Sequence, residues 1–287
     1  MDWIEIHIPV NDEIKESVTN FLFEQNTTGC VDEKNKIVCY FRREDFTETL
    51  MSNLTLYLNE LVSLGFPAVS EGISIKNLPD QEWNVTWRKN FTPIHATKRF
   101  VITPPWINYQ AKADETVIII DPKMAFGTGS HATTKLMIRE MEKHLTGHRV
   151  VVDIGTGTGV LAIVASYLDA ESIVGIDNDP VAIECAHESA AINNCSEKIF
   201  LLTGTIDDVK KSDYSFDTVL ANIQQDVILK ILNKISKILP ANGLFIASGI
   251  LITEMDDTIR AISKKNFKLI DQETEDEWCA LVFKKLS

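Results

Sequence analysis

One segment most limits what this chain can fold into: an apolar run that leads directly into a loop with three glycines. Residues 150–154 read Val-Val-Val-Asp-Ile, and residues 155–159 read Gly-Thr-Gly-Thr-Gly. The apolar residues 160–165 that follow suit a helix. A continuous apolar run is typical of a central parallel strand that is buried on both faces. This order predicts an α/β fold whose backbone approaches a ligand closely at the glycine turn.

The chain after residue 99 extends the same arrangement, because short apolar runs alternate with helical patterns. The further strand-like runs are 173–176, 199–202, 218–220 and 244–247, and the helical stretches are 160–168, 181–192, 227–239 and 253–264. At the end, two runs, 267–274 and 279–283, flank a polar turn and predict a hairpin. This alternation predicts a doubly wound α/β sheet.

The first 77 residues carry a different pattern, with strand-like and helical segments in the order β-α-β-β-α-β. That order is typical of a small ferredoxin-like α+β domain. The following stretch, 78–98, contains Trp83 and Trp87 and is interpreted as a linker. We therefore expect a ferredoxin-like substrate-recognition domain at 1–77, the linker at 78–98 and a larger α/β domain at 99–287. A length of 287 residues is consistent with two domains.

The charge is acidic and uneven. The chain has 28 basic and 41 acidic residues, a formal net charge of -13, and residues 1–80 alone hold 14 acidic against 6 basic residues. Such a balance disfavours general DNA binding, because phosphate neutralisation supplies most nonspecific affinity. It suits a basic partner. Because the five cysteines form no C-x-x-C motif, they indicate neither a disulfide framework nor a zinc site. We expect a cytoplasmic protein, since neither a signal peptide nor a membrane-length apolar run is evident. We also expect a monomer.

The glycine loop favours a nucleoside-type cofactor. A dinucleotide fingerprint, G-x-G-x-x-G, would need glycine at the position that Val160 occupies, and no Walker lysine follows the loop. Asp177 ends the next strand, 22 residues after Gly155, a separation at which a carboxylate can accept both ribose hydroxyls. Asp177 could instead cap the next helix, but Asp179 stands directly before Pro180 and is the better cap.

Two sets of motifs resemble known enzymes, one a broad class and the other a narrower family within it. Residues 153–159 and 175–177 resemble the first two motifs of the class I S-adenosylmethionine methyltransferases, whose seven-stranded Rossmann-like sheet ends in an antiparallel strand. Residues 121–134, Asp-Pro-Lys-Met-Ala-Phe-Gly-Thr-Gly-Ser-His-Ala-Thr-Thr, are similar to the signature of the bacterial PrmA family. That family methylates the eleventh protein of the large ribosomal subunit. Residues 221–223, Ala-Asn-Ile, match its A-N-I motif.

The resemblance implies S-adenosyl-L-methionine as cofactor, no metal, and a basic ribosomal protein as substrate, modified on lysine ε-amines and its N-terminal α-amine. Asp153 either orients the glycine loop or meets the amino-acid end of the cofactor, and the role of His131 stays open. The residues implied to bind the cofactor are Thr134, Gly155, Gly157, Asp177, Asn222, Phe126, Gly127 and Asp153, with Phe126 and Gly127 as a flap.

Asn222 is the implied catalytic residue, because its side-chain carbonyl can accept an N–H from a neutral amine and leave the lone pair directed at the methyl group. The sequence departs from the family after Ile223, where Gln224, Gln225 and Asp226 replace small apolar residues. Three alternatives stay open: a methyltransferase of another protein lysine, a nucleic-acid N-methyltransferase, and a non-enzymatic cofactor-binding ribosome assembly factor.

Overall fold

The structure is a computed structural model of the 287-residue chain. It describes residues 3–25, 27–33, 35–43, 45–63, 66, 72–78, 91–122, 129–147, 150–209 and 215–287. The chain divides into two compact units, Met1–Phe91 and Thr92–Ser287. Most of the predicted linker, including Trp83 and Trp87, lies outside the described residues.

The first unit contains a four-stranded sheet and two helices in the predicted β-α-β-β-α-β order. Its elements are β1 (Trp3–Pro9), α1 (Asp12–Glu24), β2 (Gly29–Glu33), β3 (Lys36–Arg42), α2 (Glu48–Ser63) and β4 (Ser74–Leu78). The strands lie in the order β2-β3-β1-β4, and each neighbouring pair is antiparallel. This is the split arrangement of a ferredoxin-like fold.

Alternation along β1 explains how this small sheet holds its helices. Ile4, Ile6 and Ile8 are fully buried in one cluster with residues of both helices, such as Val18 and Leu54. Side chains alternate between the two faces of a strand, so every second residue of β1 reaches the helical layer. Each such buried aliphatic side chain stabilises the fold by roughly 1.5–3 kcal/mol relative to exposure.

The second unit contains a three-stranded and a seven-stranded sheet, flanked by helices. Its strands are β5 (Ile94–His95), β6 (Phe100–Thr103), β7 (Thr116–Ile119), β8 (Val150–Ile154), β9 (Ser172–Asp177), β10 (Ile199–Thr203), β11 (Thr218–Asn222), β12 (Leu244–Leu251), β13 (Phe267–Glu275) and β14 (Trp278–Lys285). Its helices are α3 (Ala132–His144), α4 (Val160–Tyr167), α5 (Pro180–Ile192), α6 (Gln225–Ile238) and α7 (Met255–Ser263). Over the described ranges, the helices are too short or too polar to cross a membrane.

The seven-stranded sheet has the strand order β10-β9-β8-β11-β12-β14-β13. Strand β14 runs antiparallel to both its neighbours, while the pairs from β10 to β12 are parallel. The prediction of a doubly wound α/β sheet with a C-terminal hairpin is therefore confirmed. The sequence patterns did not predict β5–β7 or α3.

Two apolar cores cover the faces of this sheet. On β8, Val151 joins the core that contains α3 and α4, whereas Val152 joins the core that contains α6 and α7. Ile173 and Val174 on β9 divide in the same way. Both faces of the central strands are buried, which is why these strands read as unbroken apolar runs.

A ladder of ion pairs, which we call the α3–β13 ladder, joins α3 to the outermost strand. It comprises Lys135, Arg139 and Lys143 on α3 with Asp271, Glu273 and Glu275 on β13. Its shortest contacts are 2.6 Å from Arg139 Nη2 to Glu275 Oε2 and 2.8 Å from Lys143 Nζ to Glu273 Oε2. Four helical residues rise about 6 Å and two strand residues about 6.8 Å, so the two charge series stay in step.

Candidate active site

A cleft opens where the central parallel strands end. Strands β9 and β11 flank β8 and are both parallel to it, so their carboxyl ends meet beside the glycine loop. The connections after β8 and β11 lead to opposite faces, and ligands bind at such switch points in open α/β sheets. The cleft has a volume of about 560 Å³. Its walls include Gly155, Gly157, Asp177, Asn222 and Trp278.

The glycine loop is held against β9 by its own backbone. Gly155, Gly157 and Gly159 all have positive φ angles, of 71°, 54° and 79°. The N–H groups of Gly155 and Thr156 both donate to the carbonyl of Ile176, at 2.8 and 3.0 Å. A side chain at position 157 would have to adopt a conformation that costs an L-residue about 1–2 kcal/mol.

Asp177 links this loop to the next helix. Its Oδ2 accepts the Gly157 N–H at 2.9 Å, and its Oδ1 accepts the Asp179 N–H at 3.1 Å. Asp179 itself caps α5 by accepting the Val181 N–H at 2.8 Å, with Pro180 at the first helical position, as the sequence indicated. Asp177 thus aligns the loop and still has lone pairs directed at the cleft that it lines.

Three polar atoms of the predicted site are buried without a hydrogen-bond partner among the described residues. They are Thr134 Oγ1, Asp153 Oδ1 and Asn222 Oδ1. Such atoms cost free energy unless something satisfies them, and in native proteins they are few. Their concentration around the ends of β8 and β11 and the start of α3 indicates a polar ligand.

Asp153 lies beneath the loop and is fully buried. Its Oδ2 accepts a hydrogen bond from the Thr156 hydroxyl at 2.7 Å. The pKa of Asp153 is raised to about 7. Burial is the main cause, the Thr156 hydrogen bond opposes it, and the negative charge of Asp177 adds to it. Through its hydrogen bond with Thr156, Asp153 orients the glycine loop, which is one of the two roles expected of it.

Because the pKa of Asp153 is raised, the free energy of unfolding should depend on pH, and Asp153→Asn should remove this contribution. The unfolded state releases the Asp153 proton near pH 4, whereas the folded state keeps it to about pH 7, so this residue destabilises the fold as pH rises between those values. Between pH 5 and 7, wild-type stability should fall by about 2 kcal/mol relative to the variant. Chemical denaturation of both proteins at the two pH values checks this, and parallel pH profiles would contradict it.

The loop after β11 is fixed by a glycine on β12. Asn222 pairs with Ser248 in the sheet register, and the Ile223 N–H donates to the Ser248 carbonyl at 3.2 Å. Gly249 has a φ of +80°, and a Cβ there would lie 2.5 Å from the Ile223 carbonyl oxygen. Because this neighbour is backbone, no side-chain rotation can relieve the contact. Only glycine at position 249 therefore allows the present position of Asn222.

Gly249→Ala should move this loop and lower both stability and turnover. Gly147→Ala is the matched control, because Gly147 has a similar φ of +86° but nothing within 4 Å of its Cβ position. The control should lose about 1–2 kcal/mol from backbone strain alone. Gly249→Ala should lose about 1–3 kcal/mol more. Thermal unfolding and turnover of both variants measure the difference, and equal losses would show that the Ile223 contact is unimportant.

The other predicted residues differ in their positions relative to the cleft. Thr134 is fully buried in the first turn of α3, while its neighbour Thr133 lines the cleft. His131 accepts the Thr133 N–H as the N-cap of α3, also lines the cleft, and packs edge-on against Trp278 at 5.1 Å. Phe126 and Gly127, the predicted flap, lie outside the described residues.

Sequence reasoning missed a second cavity, of about 240 Å³, beside the first. It shares Gly155 and Asp177 with the main cleft and adds Gly204, Ile206 and Asp207 from the end of β10. The rule that ligands lie at the carboxyl ends of parallel strands could have identified these residues. The same rule could have identified Gly249, which follows the predicted strand 244–247, whereas the position of Trp278 depends on how β12 and β14 pair.

Comparison with known proteins places this architecture. A crystal structure of a ribosomal protein L11 methylase from Lactobacillus delbrueckii subsp. bulgaricus is similar with a TM-score of 0.64 and 29% identity, covering 69% of this chain and 100% of that chain. The M. jannaschii tRNA m1G37 methyltransferase shares the fold at a TM-score of 0.50 and 16% identity, covering 99% of both chains. The strand order, the antiparallel β14 and the cleft at the switch point define a class I methyltransferase.

The family follows from whole-chain similarity. The family described as ribosomal protein L11 methyltransferase (PrmA) matches residues 2–286. The ribosomal protein L11 methyltransferase of Alkaliphilus oremlandii is 31% identical, covering 99% of both chains, and that of Ruminiclostridium cellulolyticum is 32% identical, covering 99% of this chain and 98% of its own. This chain belongs to the PrmA family of ribosomal protein methyltransferases.

Proposed function

We propose that this protein transfers methyl groups from S-adenosyl-L-methionine to ribosomal protein L11, on lysine ε-amines and the N-terminal α-amine. The observation that carries the proposal is the buried side-chain oxygen of Asn222, which has no partner among the described residues and lies at a cleft built by Gly155, Gly157 and Asp177. The names of the full-length relatives support L11 as the acceptor.

The residues present fit this cofactor. Asp177 retains lone pairs for the ribose hydroxyls after accepting its two backbone N–H groups. The second cavity, lined by Ile176, Ile206 and Val227 among others, offers an apolar slot for the adenine ring. Thr134 Oγ1 supplies a further buried polar atom next to the cleft wall formed by His131 and Thr133. When bound, S-adenosylmethionine would supply a methyl group attached to a sulfonium sulfur, and this sulfur would leave as a neutral thioether.

Asn222 acts on the acceptor amine. Methyl transfer is an in-line displacement, so alignment of the two reactants is the main task of the enzyme. The amine must be neutral, which at pH 7 costs about 4.6 kcal/mol for a lysine but only about 1 kcal/mol for an α-amine. The Asn222 oxygen accepts one N–H of the neutral amine and so directs its lone pair along the displacement axis. Proton loss to water precedes the transfer.

The substrate-binding role falls to the acidic first unit. It contributes more than half of the net charge of the chain, which suits a basic substrate. Gln224, which lines the cleft, is the residue of the Gln224-Gln225-Asp226 departure best placed to affect acceptor choice, since Asp226 pairs with Lys230 at 2.7 Å.

The decisive experiment is label transfer from methyl-labelled S-adenosylmethionine to purified L11, followed by peptide mass spectrometry. Label should appear on lysines and on the N-terminus of L11, and blocking that N-terminus by acetylation should remove only the second signal. Ribosomal RNA and tRNA should gain none. Label on RNA alone would favour a nucleic-acid methyltransferase, and cofactor binding without label on L11 would favour the assembly-factor alternative.

If the first unit holds L11 by charge, the reaction should depend on salt. The KM for L11 should rise severalfold between low and physiological ionic strength while kcat stays nearly constant, because screening weakens encounter more than chemistry. Neutralising the exposed Asp45 and Glu60 together should flatten this dependence. The matched pair Asp169→Asn and Glu197→Gln, exposed on the second unit, should leave it unchanged. Equal responses of both pairs would remove the first unit from L11 binding.

A further inference from the structure

Two cysteines face each other across neighbouring strands of the first unit. Cys30 on β2 is the direct cross-strand partner of Cys39 on β3, and their sulfurs lie 3.3 Å apart. Cys39 is buried in the core against the helices, whereas Cys30 is partly exposed. Both are free thiols in the structure.

The strand register brings this pair within reach of a bond. Only two residues separate the paired Glu33 and Lys36, and hydrogen-bonded and non-hydrogen-bonded pairs alternate from that turn. Counting from it, Cys30 and Cys39 form a non-hydrogen-bonded pair, for which the Cα atoms lie about 4.5 Å apart. Disulfides span Cα distances of about 4.4–6.8 Å. The sulfurs need to approach by only about 1.3 Å to reach the bonded distance of about 2.05 Å.

We propose that Cys30 and Cys39 are a thiol-oxidation site that forms a reversible disulfide across β2 and β3 by exchange with a low-molecular-weight disulfide of the glutathione type. The Cys30 thiolate attacks one sulfur of the small disulfide and releases one thiolate. The Cys39 thiol then loses its proton and attacks the mixed disulfide at Cys30, which releases the second small thiol. The two cysteines lose two electrons and two protons in total, and the small disulfide is reduced to two thiols.

The surroundings assign an order to the two thiols. Cys30 is the accessible thiol, and its side-chain contact with Cys39 lowers its pKa, with Thr27 adding a smaller effect in the same direction against burial. The side-chain hydrogen bond with Cys30 and burial both raise the pKa of the Cys39 thiol. Thiolates are the nucleophiles in exchange, so Cys30 reacts first and Cys39 resolves the adduct.

The test uses the full-length protein treated with oxidised glutathione, then denatured and alkylated for thiol counting. The number of free thiols should fall from the five of the reduced chain to three. The digest should contain a Cys30–Cys39 linked peptide, and the intact mass should fall by two hydrogen atoms. Dithiothreitol should reverse all three changes, and the oxidised protein should melt at a higher temperature than the reduced one.

Variants separate the two roles. Cys30→Ser should keep all its remaining thiols, whereas Cys39→Ala should stop at one glutathione adduct on Cys30. Cys185→Ser is the matched control and should still lose two thiols. Circular dichroism checks that each variant is folded. If a variant does not fold, the thiol count and linked peptide of the wild-type protein still test the proposal. Five unchanged thiols, a stable glutathione adduct on wild-type Cys30, or a linked peptide with different cysteines would each overturn the proposal.

Discussion

Replacing Asn222 with alanine should lower the turnover of methyl transfer by about 100-fold or more, comparable to the loss of one preorganised polar group in other active sites. The Asn222 oxygen is buried and without a partner among the described residues, and the strand register opposite Ser248 holds the backbone of Asn222 in place. Its removal leaves the amine lone pair unaligned. Cofactor affinity should change much less, because Asp177 and the glycine loop remain.

Steady-state rates and calorimetry on the same preparation measure the two effects separately. Asn233→Ala, the same change at an exposed position on α6, is the control and should match wild type in both. Equal losses in turnover and in cofactor affinity would contradict the catalytic assignment of Asn222 and indicate a cofactor-binding residue. Retained turnover would remove it from the reaction altogether.

Replacing Asp177 with alanine should have the complementary result, a rise of about 100-fold or more in the cofactor dissociation constant. Two ribose hydroxyls that donate to one carboxylate contribute about 1.5–3 kcal/mol each. Further loss comes from the Gly157 N–H, which Asp177 accepts at 2.9 Å and which would lose that partner. At saturating cofactor, kcat should stay within a few-fold of wild type, since Asn222 is untouched.

Asp169→Asn is the matched control for the lost charge. Asp169 is exposed, and its φ of 69° is one that asparagine also adopts readily. The control should bind cofactor as wild type does. If Asp177→Ala also bound cofactor normally, Asp177 would be only a structural link between the loop and α5, and the ribose assignment would be wrong.

The sequence predicted the parts of the fold that follow from buried strands. Val150 to Ile154 and its parallel neighbours read as apolar runs because both of their faces are covered. Strands β5–β7 are two to four residues long, too short for periodicity to reveal. Helix α3 begins at an N-cap histidine, His131, which is outside the usual set of capping residues.

The residues of the site also fall into those that the sequence predicts and those that it does not. Gly155, Asp177 and Asn222 were predictable as a group because each ends or follows a parallel strand, and such ends share one edge of a sheet. Trp278 reaches the same cleft through pairing between β12 and β14, where the register shifts at a bulge between Ala247 and Ile250. A local sequence pattern does not specify such a shift, so the position of Trp278 emerges only from the tertiary structure.

The α3–β13 ladder has a consequence for how this protein behaves at high concentration. Strand β13 is an outer strand of the seven-stranded sheet, and an outer strand offers unpaired backbone groups to other chains. Its row of carboxylates, engaged by α3, makes addition of a further strand there unfavourable. The opposite outer strand, β10, has no such row and exposes about half of Phe200. Of the two outer strands of this sheet, β10 is therefore the one at which strand addition by another chain should begin, and Phe200→Lys should suppress it.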